Sequence, residues 1–356
     1  MISASLYIHI PFCASFCDYC DFYSVKKNDY NENYIDAFLD ALIRDIKNQI
    51  IQFNIGEIPT VYIGGGTPSV LGTKISALLK ALKSIPFFSP LEFTIEANPE
   101  SINKEFLELC FEGGVNRLSL GVQSFNQKSR EAVNRRGNVD NLQQGLALVS
   151  GYNCVFSADL IAGLPFQDIS EDIKQILFCG AQHISLYSLT LEKETPLYAK
   201  IKNKELALPD AQEADLLWLK GRDALLNAGF EHYEISNFAK DGKICLHNMR
   251  YWQMLNWIGA GPSASGTIID GENAKRYTFS NDIDAYIKNP LLNTVICEEL
   301  DKNILLKERL LMGFRLKKCA DDAFIEYIPK TLAKWKGKDK MLFLNSFLHD
   351  AFSEIG

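Results

Sequence analysis

Short uninterrupted runs of apolar residues alternate along the chain with longer stretches in which apolar residues recur every three or four positions. The uninterrupted runs predict strands buried on both faces, and the longer period predicts amphipathic helices. The predicted strands cover residues 6–10, 60–63, 93–96, 117–122, 156–161 and 183–189. The predicted helices cover residues 34–53, 75–82, 104–112, 139–150, 171–178 and 209–227.

This alternation of strand and helix predicts a parallel sheet covered by helices, because parallel neighbours need crossover connections. The pattern alone leaves open whether the sheet is doubly wound or closed, fully or in part, into a barrel. Beyond residue 230 the alternation fades into an aromatic-rich region, and residue 290 is followed by a predicted helical tail with a helix at 302–316. We therefore predict three parts, residues 1–230, 231–290 and 291–356.

Composition excludes several classes of protein. The 356 residues, 47% of them hydrophobic, are enough for a large core, and the net charge of −7 argues against a nucleic-acid partner. No apolar run approaches the roughly 18 residues of a transmembrane segment, and the start lacks the basic region of a signal peptide. Nine cysteines without an even disulfide framework predict a cytoplasmic protein.

Three cysteines, Cys13, Cys17 and Cys20, follow the first predicted strand with the spacing C-x-x-x-C-x-x-C. Three thiolates do not complete a structural zinc site, which has four ligands. A cubane iron–sulfur cluster fits better, because three thiolates would hold three irons and leave the fourth iron open. A structural metal knuckle and three unrelated cysteines remain the alternatives.

The cysteine spacing, with Tyr19 before the third cysteine, resembles the radical S-adenosylmethionine (SAM) enzymes. Residues 7–22, YIHIPFCASFCDYCDF, resemble the oxygen-independent coproporphyrinogen oxidase group and its HemW heme-chaperone branch. The resemblance implies a partial (β/α)6 barrel with an aromatic-rich extension and a small C-terminal helical domain. It also implies a [4Fe–4S] cluster on the three cysteines, SAM on the open iron, and a flavodoxin- or ferredoxin-like reductant.

The same resemblance assigns SAM contacts to residues near successive strand ends. They are Tyr7, Tyr19, Gly65, Gly66, Thr67, Glu96, Gln123, Arg135, Asp159 and Ser188. Glycines let a backbone approach a ligand closely, and an arginine fork suits the SAM carboxylate. The alternatives are a plain turn at residues 65–67, a helix cap at Glu96, ordinary core packing of the tyrosines, and Arg136 as the inward arginine.

Two features separate the oxidases from the chaperones. The decarboxylating oxidases carry a fourth cysteine two residues after the third, where this chain has Phe22, and a longer segment before the cluster. Residues 247–252 read H-N-M-R-Y-W and resemble the H-N-x-x-Y-W motif of the chaperone branch. Both features favour a chaperone.

The resemblance also implies a heme contact within this motif, at His247, Tyr251 and Trp252. A neutral imidazole is a common axial ligand of heme iron, and the two aromatic side chains offer flat apolar surface. Cys245 is an alternative ligand. The other alternative is that His247 and Asn248 only anchor a loop and do not touch heme.

Taken together, the resemblance implies a cytoplasmic, HemW-type heme chaperone that binds a [4Fe–4S] cluster, SAM and heme and transfers heme to acceptor proteins. The alternative is an oxygen-independent coproporphyrinogen III dehydrogenase, which converts two propionates to vinyl groups with loss of carbon dioxide. A radical SAM enzyme acting on another substrate is a third hypothesis, since a fold does not fix a function. No catalytic residue is assigned, and enzymatic activity and a homodimer stay open.

Overall fold

A computed structural model describes residues 1–318 and 321–355. Six parallel strands form its centre, and each predicted strand is confirmed to within two residues. They are β1 (Ser5–Ile10), β2 (Thr60–Gly65), β3 (Glu92–Ala97), β4 (Arg117–Gln123), β5 (Val155–Ala162) and β6 (His183–Ser188). Burial on both faces of the sheet explains the uninterrupted apolar runs: the adjacent residues Phe93 and Thr94 point to opposite faces, and neither has exposed surface.

Helices connect these strands, and most begin at an Asn, Asp or Thr whose side chain accepts a backbone N–H of the first turn. They are α1 (Glu32–Gln52), α2 (Ile75–Lys83), α3 (Lys104–Glu112), α4 (Gln127–Ala132), α5 (Val139–Ser150), α6 (Ile169–Phe178), α7 (Pro196–Lys202) and α8 (Ala211–Asn227). The six helices predicted before residue 230 are confirmed, and the short α4 and α7 were not predicted.

The sheet continues past both ends of the six-stranded centre. On one side lie β7 (Glu231–Glu234) and β8 (Asn237–Ala239), and on the other β9 (Trp257–Ala260), β10 (Ser265–Asp270), β11 (Asn273–Phe279) and β12 (Thr294–Leu300). The order is β7-β8-β6-β5-β4-β3-β2-β1-β9-β10-β11-β12. Strand β9 is parallel to β1 and β8 is antiparallel to β6, so β1 and β6 do not pair and the barrel is partial.

Buried polar contacts attach the extension to the barrel. The hydroxyl of Tyr286 donates to Asp45 Oδ2 over 2.6 Å, and Gln49 Nε2 donates to the carbonyl of Gly259 over 2.9 Å. Tyr286 lies on α10 (Ile283–Lys288), whereas Asp45 and Gln49 lie on α1. The extension therefore shares a continuous buried interface with the barrel.

The region after residue 290 is mostly helical, as expected, but it begins with a strand that was not predicted. Residues 294–300 form β12 at the sheet edge, in register with β11, and their sequence TVICEEL begins with the β-branched residues typical of strands. Helices α11 (Lys302–Gly313), α12 (Pro329–Lys334) and α13 (Leu344–Ile355) follow. They enclose a second hydrophobic cluster that includes Leu310, Phe314, Trp335 and Phe347. The three-part division of the chain stays a prediction.

Between α8 and α10 lies one further helix, α9 (Leu246–Trp252), which carries the H-N-x-x-Y-W motif. Throughout the part of the chain that the structure describes, no helix has both the length and the apolar character required to cross a bilayer.

Candidate functional site

A cavity of about 660 Å³ opens at the carboxyl ends of the parallel strands. This is the end at which barrel enzymes of this architecture collect their functional groups. Most of the residues predicted to hold the cluster and SAM line it: Cys13, Cys17, Cys20, Tyr19, Gly65, Gly66, Thr67, Glu96, Gln123, Arg135, Asp159 and Ser188. The structure thus brings together side chains that lie up to 175 positions apart in the chain (188 minus 13).

The cysteine loop is fixed by contacts from two other segments. Asp18 forms an ion pair with Lys200 of α7, 2.6 Å apart, and its N–H donates to the carbonyl of Val133 over 2.9 Å. The amide of Asn134 donates to the carbonyl of Phe16. Sequence reasoning missed the Asp18–Lys200 pair because the two residues are far apart in the chain and α7 was not predicted.

All three cysteine thiols are half-buried beside this cavity, and burial raises the pKa of Cys20 to about 11. Metal binding would displace the thiol proton, because a coordinating thiol is deprotonated. Within the described residues, no three Cys, His, Asp or Glu side chains converge closely enough to bind a single metal ion. A cubane spreads its three protein ligands over three irons. Three half-buried thiols that line one cavity fit a cluster with three protein ligands.

The glycine turn after β2 packs beneath the cysteine loop. The N–H of Gly66 donates to the carbonyl of Ile10 and the N–H of Thr67 to that of Phe12, each over 2.8 Å. A Cβ on Gly66 would lie 2.8 Å from the carbonyl oxygen of Phe12, so no larger residue fits without moving the backbone. The turn thereby places the Thr67 hydroxyl 3.6 Å from Cys13 Sγ.

Glu96 and Asp159 face the cavity from the ends of β3 and β5. Glu96 accepts hydrogen bonds from the Tyr62 hydroxyl over 2.7 Å and the Gly65 N–H over 3.2 Å, and it does not cap a helix. Burial, with the nearby charge of Asp159, raises the pKa of Glu96 to about 7, against the opposing Tyr62 hydrogen bond. Burial also raises the pKa of Asp159. Two carboxyl groups that face the cavity can accept hydrogen bonds from the hydroxyl and amino groups of a ligand such as SAM.

Gln123 has a left-handed backbone, with φ of 67°, where β4 shifts register against β5. A non-glycine residue in this conformation is strained, and such strain concentrates at functional sites. Ser188 is exposed at the cavity, whereas Tyr7 does not line it: its hydroxyl donates to His9 Nδ1 over 3.2 Å. His9 in turn donates from Nε2 to the carbonyl of Tyr23.

Of the two candidate arginines, Arg135 points into the site and Arg136 is exposed. Arg135 Nη2 donates to Asn98 Oδ1 and to the carbonyl of Gly121, both over 2.6 Å, and Nη1 approaches Cys17 Sγ at 3.6 Å. Asn98 also donates to the Thr67 hydroxyl. Sequence reasoning did not assign Asn98 a role, although its position just after β3 was the available signal.

The H-N-x-x-Y-W motif lies at the opposite end of the barrel. Glu92, the first residue of β3, accepts the N–H groups of Leu246 and His247 over 2.9 Å each, and pairs with Arg117, the first residue of β4. Arg250 Nε donates to the hydroxyl of Ser5, the first residue of β1. Helix α9 therefore closes the amino end of the parallel sheet.

Both ring nitrogens of His247 are occupied in this arrangement. Nδ1 lies 2.9 Å from the Thr60 hydroxyl, which itself donates to Ser5, so the hydrogen-bond network assigns the proton to Nδ1. Nε2 accepts from the Tyr251 hydroxyl over 2.9 Å. The side chain is 1% exposed. The structure thus groups His247 with Tyr251, and the ring of Tyr62, whose hydroxyl donates to Glu96, lies 5.3 Å from the ring of His247.

Trp252, the third predicted heme residue, lies apart from this pair. The guanidinium of Arg315 stacks over its ring at 4.3 Å, and Trp252 borders a cavity of about 400 Å³ with Leu306, Phe324 and Tyr327. This cavity lies between α9 and the C-terminal helices. Cys245, the alternative ligand, is buried with Sγ 3.4 Å from Glu92 Oε1.

The two buried histidines His247 and His9 each reduce the stability of the fold as the pH drops below about 6.5, whereas buried acids with a raised pKa, such as Glu96, act in the opposite direction. Burial lowers the pKa of His247 to about 3 and that of His9 to about 4, whereas an unfolded histidine titrates near 6.5. Between these values the unfolded chain binds protons that the folded chain excludes, so each histidine costs about 1–2 kcal/mol between pH 7.5 and 5. Urea unfolding at the two pH values measures the change in the free energy of unfolding, and a histidine variant isolates the contribution of one histidine.

On going from pH 7.5 to pH 5, the free energy of unfolding of His247→Gln should change more favourably than that of the wild type. The control is His349→Gln, which replaces an exposed histidine. An equal pH dependence in His247→Gln and the wild type would contradict this assignment.

Comparisons with known proteins agree with the geometry of the cavity. Residues 7–178 match the model of the radical SAM superfamily. The chain is 34% identical to the heme chaperone HemW of Buchnera aphidicola from Acyrthosiphon pisum, over 88% of this chain and 83% of that protein. It is 35% identical to the Escherichia coli heme chaperone HemW, over 74% of this chain and 70% of that one.

Among solved structures, coproporphyrinogen III oxidase (HemN) from Escherichia coli superposes with a TM-score of 0.79 at 21% identity, covering 98% of this chain and 90% of that one. At this identity the superposition establishes the fold. Superfamily membership implies a [4Fe–4S] cluster and SAM, which the residues of the cavity fit. The chain belongs to the HemW heme-chaperone family within the radical SAM superfamily.

Proposed function

We propose that this protein is a heme chaperone that carries a [4Fe–4S] cluster and SAM in the carboxyl-end cavity and delivers heme to acceptor proteins. One observation carries the radical SAM part of the proposal: three cysteines, the glycine turn, Glu96, Gln123, Arg135 and Asp159 line one cavity. The heme part is supported by the names of the relatives and by the H-N-x-x-Y-W motif.

In this proposal Cys13, Cys17 and Cys20 hold the cluster, which supplies one-electron reduction when bound. The glycine turn keeps Thr67 beside Cys13, and the strand-end acids Glu96 and Asp159 hold the polar groups of SAM. The half-buried position of these side chains limits competition from water.

The alternative, a coproporphyrinogen dehydrogenase, has less support from the residues of the site. Phe22 occupies the position of the oxidases' fourth cysteine, and its side chain is 68% exposed at the cavity. A phenyl ring can neither transfer a proton nor ligate a metal. The likeness to coproporphyrinogen III oxidase extends to the fold and does not by itself transfer the activity.

We further propose His247, Tyr251 and Trp252 as the heme-contacting residues, with one condition set by the structure. The lone pair of His247 Nε2 accepts the Tyr251 hydroxyl, so coordination of heme iron requires that hydroxyl to move. Removing the hydroxyl should therefore make the imidazole more available, whereas removing the imidazole should eliminate the contact.

Heme titration of purified protein tests this assignment through the Soret band. His247→Ala should weaken heme binding at least tenfold, about 1.4 kcal/mol, while Tyr251→Phe should bind as tightly as the wild type or more tightly. The control is His349→Ala, which removes an exposed histidine far from the motif in sequence. If His247→Ala binds heme like the wild type, His247 only anchors α9 and the heme contact lies elsewhere.

The transfer step is tested by mixing the heme-loaded protein with an apo-hemoprotein acceptor and following the acceptor's own absorption band. Heme should move to the acceptor. Anaerobic incubation with SAM, reductant and coproporphyrinogen should yield no protoporphyrinogen. Robust turnover in that incubation, without heme binding, would favour the dehydrogenase.

A further inference from the structure

Arg135 makes contacts that differ from those expected of a SAM carboxylate ligand. Two hydrogen bonds leave its Nη2, to Asn98 Oδ1 and to the carbonyl of Gly121, and a third leaves Nη1 for Cys17 Sγ. A guanidinium has five N–H groups, of which Nη2 carries two. Both hydrogens of Nη2 are therefore already used by the protein.

This occupancy decides what the side chain can bind. Each bidentate face of a guanidinium includes Nη2, paired with Nε along the side or with Nη1 at the end. With both Nη2 hydrogens held by Asn98 and Gly121, neither face of Arg135 can offer two parallel hydrogen bonds to a carboxylate. Nη1 donates to the sulfur of Cys17, and the buried Nε, which has no hydrogen-bond partner among the described residues, is left for a single hydrogen bond to a ligand.

The surrounding residues fix this orientation. A Cβ on Gly121 would lie 2.9 Å from Arg135 Nη2 and 2.9 Å from Asn98 Oδ1, so only glycine leaves room for the arrangement. Asn98 is itself held, because its Nδ2 donates to the Thr67 hydroxyl and its N–H to Ser69 Oγ. The guanidinium is therefore directed at the Cys17 side of the cluster site before any ligand binds.

We propose that Arg135 is a positioning residue whose hydrogen bond and positive charge at Cys17 Sγ raise the reduction potential of the cluster. Reduction adds one negative charge to the cluster, and a cation that donates to a ligating sulfur stabilises the reduced form more than the oxidised form. The inference rests on the proposed function, because it requires that the cysteines hold a cluster. It departs from the expected role of Arg135 as a fork on the SAM carboxylate.

The test is a redox titration of the cluster-loaded protein without SAM, followed by electron paramagnetic resonance. In Arg135→Gln the midpoint potential should shift to more negative values, and Arg135→Lys should shift less. The matched control is Arg309→Gln, which removes an equal charge from an exposed arginine of α11, outside both cavities that Cys17 lines, and should leave the potential unchanged. Gly121→Ala keeps the charge, displaces the guanidinium, and should shift the potential in the same direction.

The outcomes separate this inference from the proposed function. If wild-type protein holds no cluster, the proposed function fails first. If Arg135→Gln loses its cluster, the potentials of Arg135→Lys and Gly121→Ala decide the question. If the potentials of the cluster-loaded variants are unchanged, the inference is overturned. A tenfold or greater loss of SAM affinity in Arg135→Lys would then show that Arg135 binds the SAM carboxylate.

Discussion

Cys17→Ala is expected to lose its iron–sulfur cluster almost completely. Cys17 is the central cysteine of the loop, and its removal leaves two thiolates where three irons need protein ligands. The brown colour, the acid-labile sulfide and the iron content of anaerobically reconstituted protein should all fall to near background. Cys13→Ala and Cys20→Ala should behave in the same way, since each removes one of the three ligands.

The matched control is Cys179→Ala, which removes a half-buried cysteine from the end of α6, outside the cavity. It should keep the full cluster. Wild-type iron and sulfide content in any of the three loop variants would show that the cluster, if present, has other ligands.

Glu92→Ala is expected to destabilise the protein by about 3–5 kcal/mol, because it removes the acceptor of two backbone N–H groups and the ion-pair partner of the buried Arg117. Glu92 is 5% exposed and joins the start of β3 to the first turn of α9. Urea unfolding measures the loss. Glu92→Gln keeps an acceptor oxygen and should lose less.

Glu108→Ala is the control, because Glu108 forms only an exposed pair with Lys104 on α3 and its loss should cost less than about 0.5 kcal/mol. Glu92 lies at the amino end of the barrel, so Glu92→Ala protein that remains folded should still accept a cluster at the carboxyl end. A loss of stability no greater than that of Glu108→Ala would contradict the account of α9.

Much of the barrel was predictable because its signals are local. The apolar runs of β1 to β6 and the helical period of α1, α2, α3, α5, α6 and α8 set the alternation, and capping residues such as Asn103 and Asp210 mark helix starts. The SAM set was assigned by resemblance, and the structure brings all of it except Tyr7 to one cavity. Motifs at successive carboxyl ends of parallel strands meet at one edge of the sheet.

The features that were not predicted depend on contacts between segments that are far apart in the sequence, which no local pattern reveals. Nothing around His247 signals that Glu92 and Thr60 hold it at the amino end of the barrel, some 155 and 187 positions away. The two N–H groups of Arg135 Nη2 donate to Asn98 and Gly121, and these contacts join segments that are distant in the sequence. In the same way, the pairing with β11 decides that residues 294–300 form a strand.

The two proposed sites lie at opposite ends of the barrel and are linked through its interior. The cluster and SAM would lie at the carboxyl ends of the strands, whereas His247 lies at the amino ends. The ring of Tyr62 lies 5.3 Å from the ring of His247, and the Tyr62 hydroxyl donates to Glu96 at the cavity.

The most direct measurement is electron paramagnetic resonance of the reduced, anaerobically purified protein with and without SAM, accompanied by iron and sulfide analysis. The account predicts iron and sulfide in the proportions of one cubane cluster per chain, with a signal that SAM alters by binding the open iron. Zinc in place of iron, no metal at all, or a cluster signal that SAM leaves unchanged would contradict it.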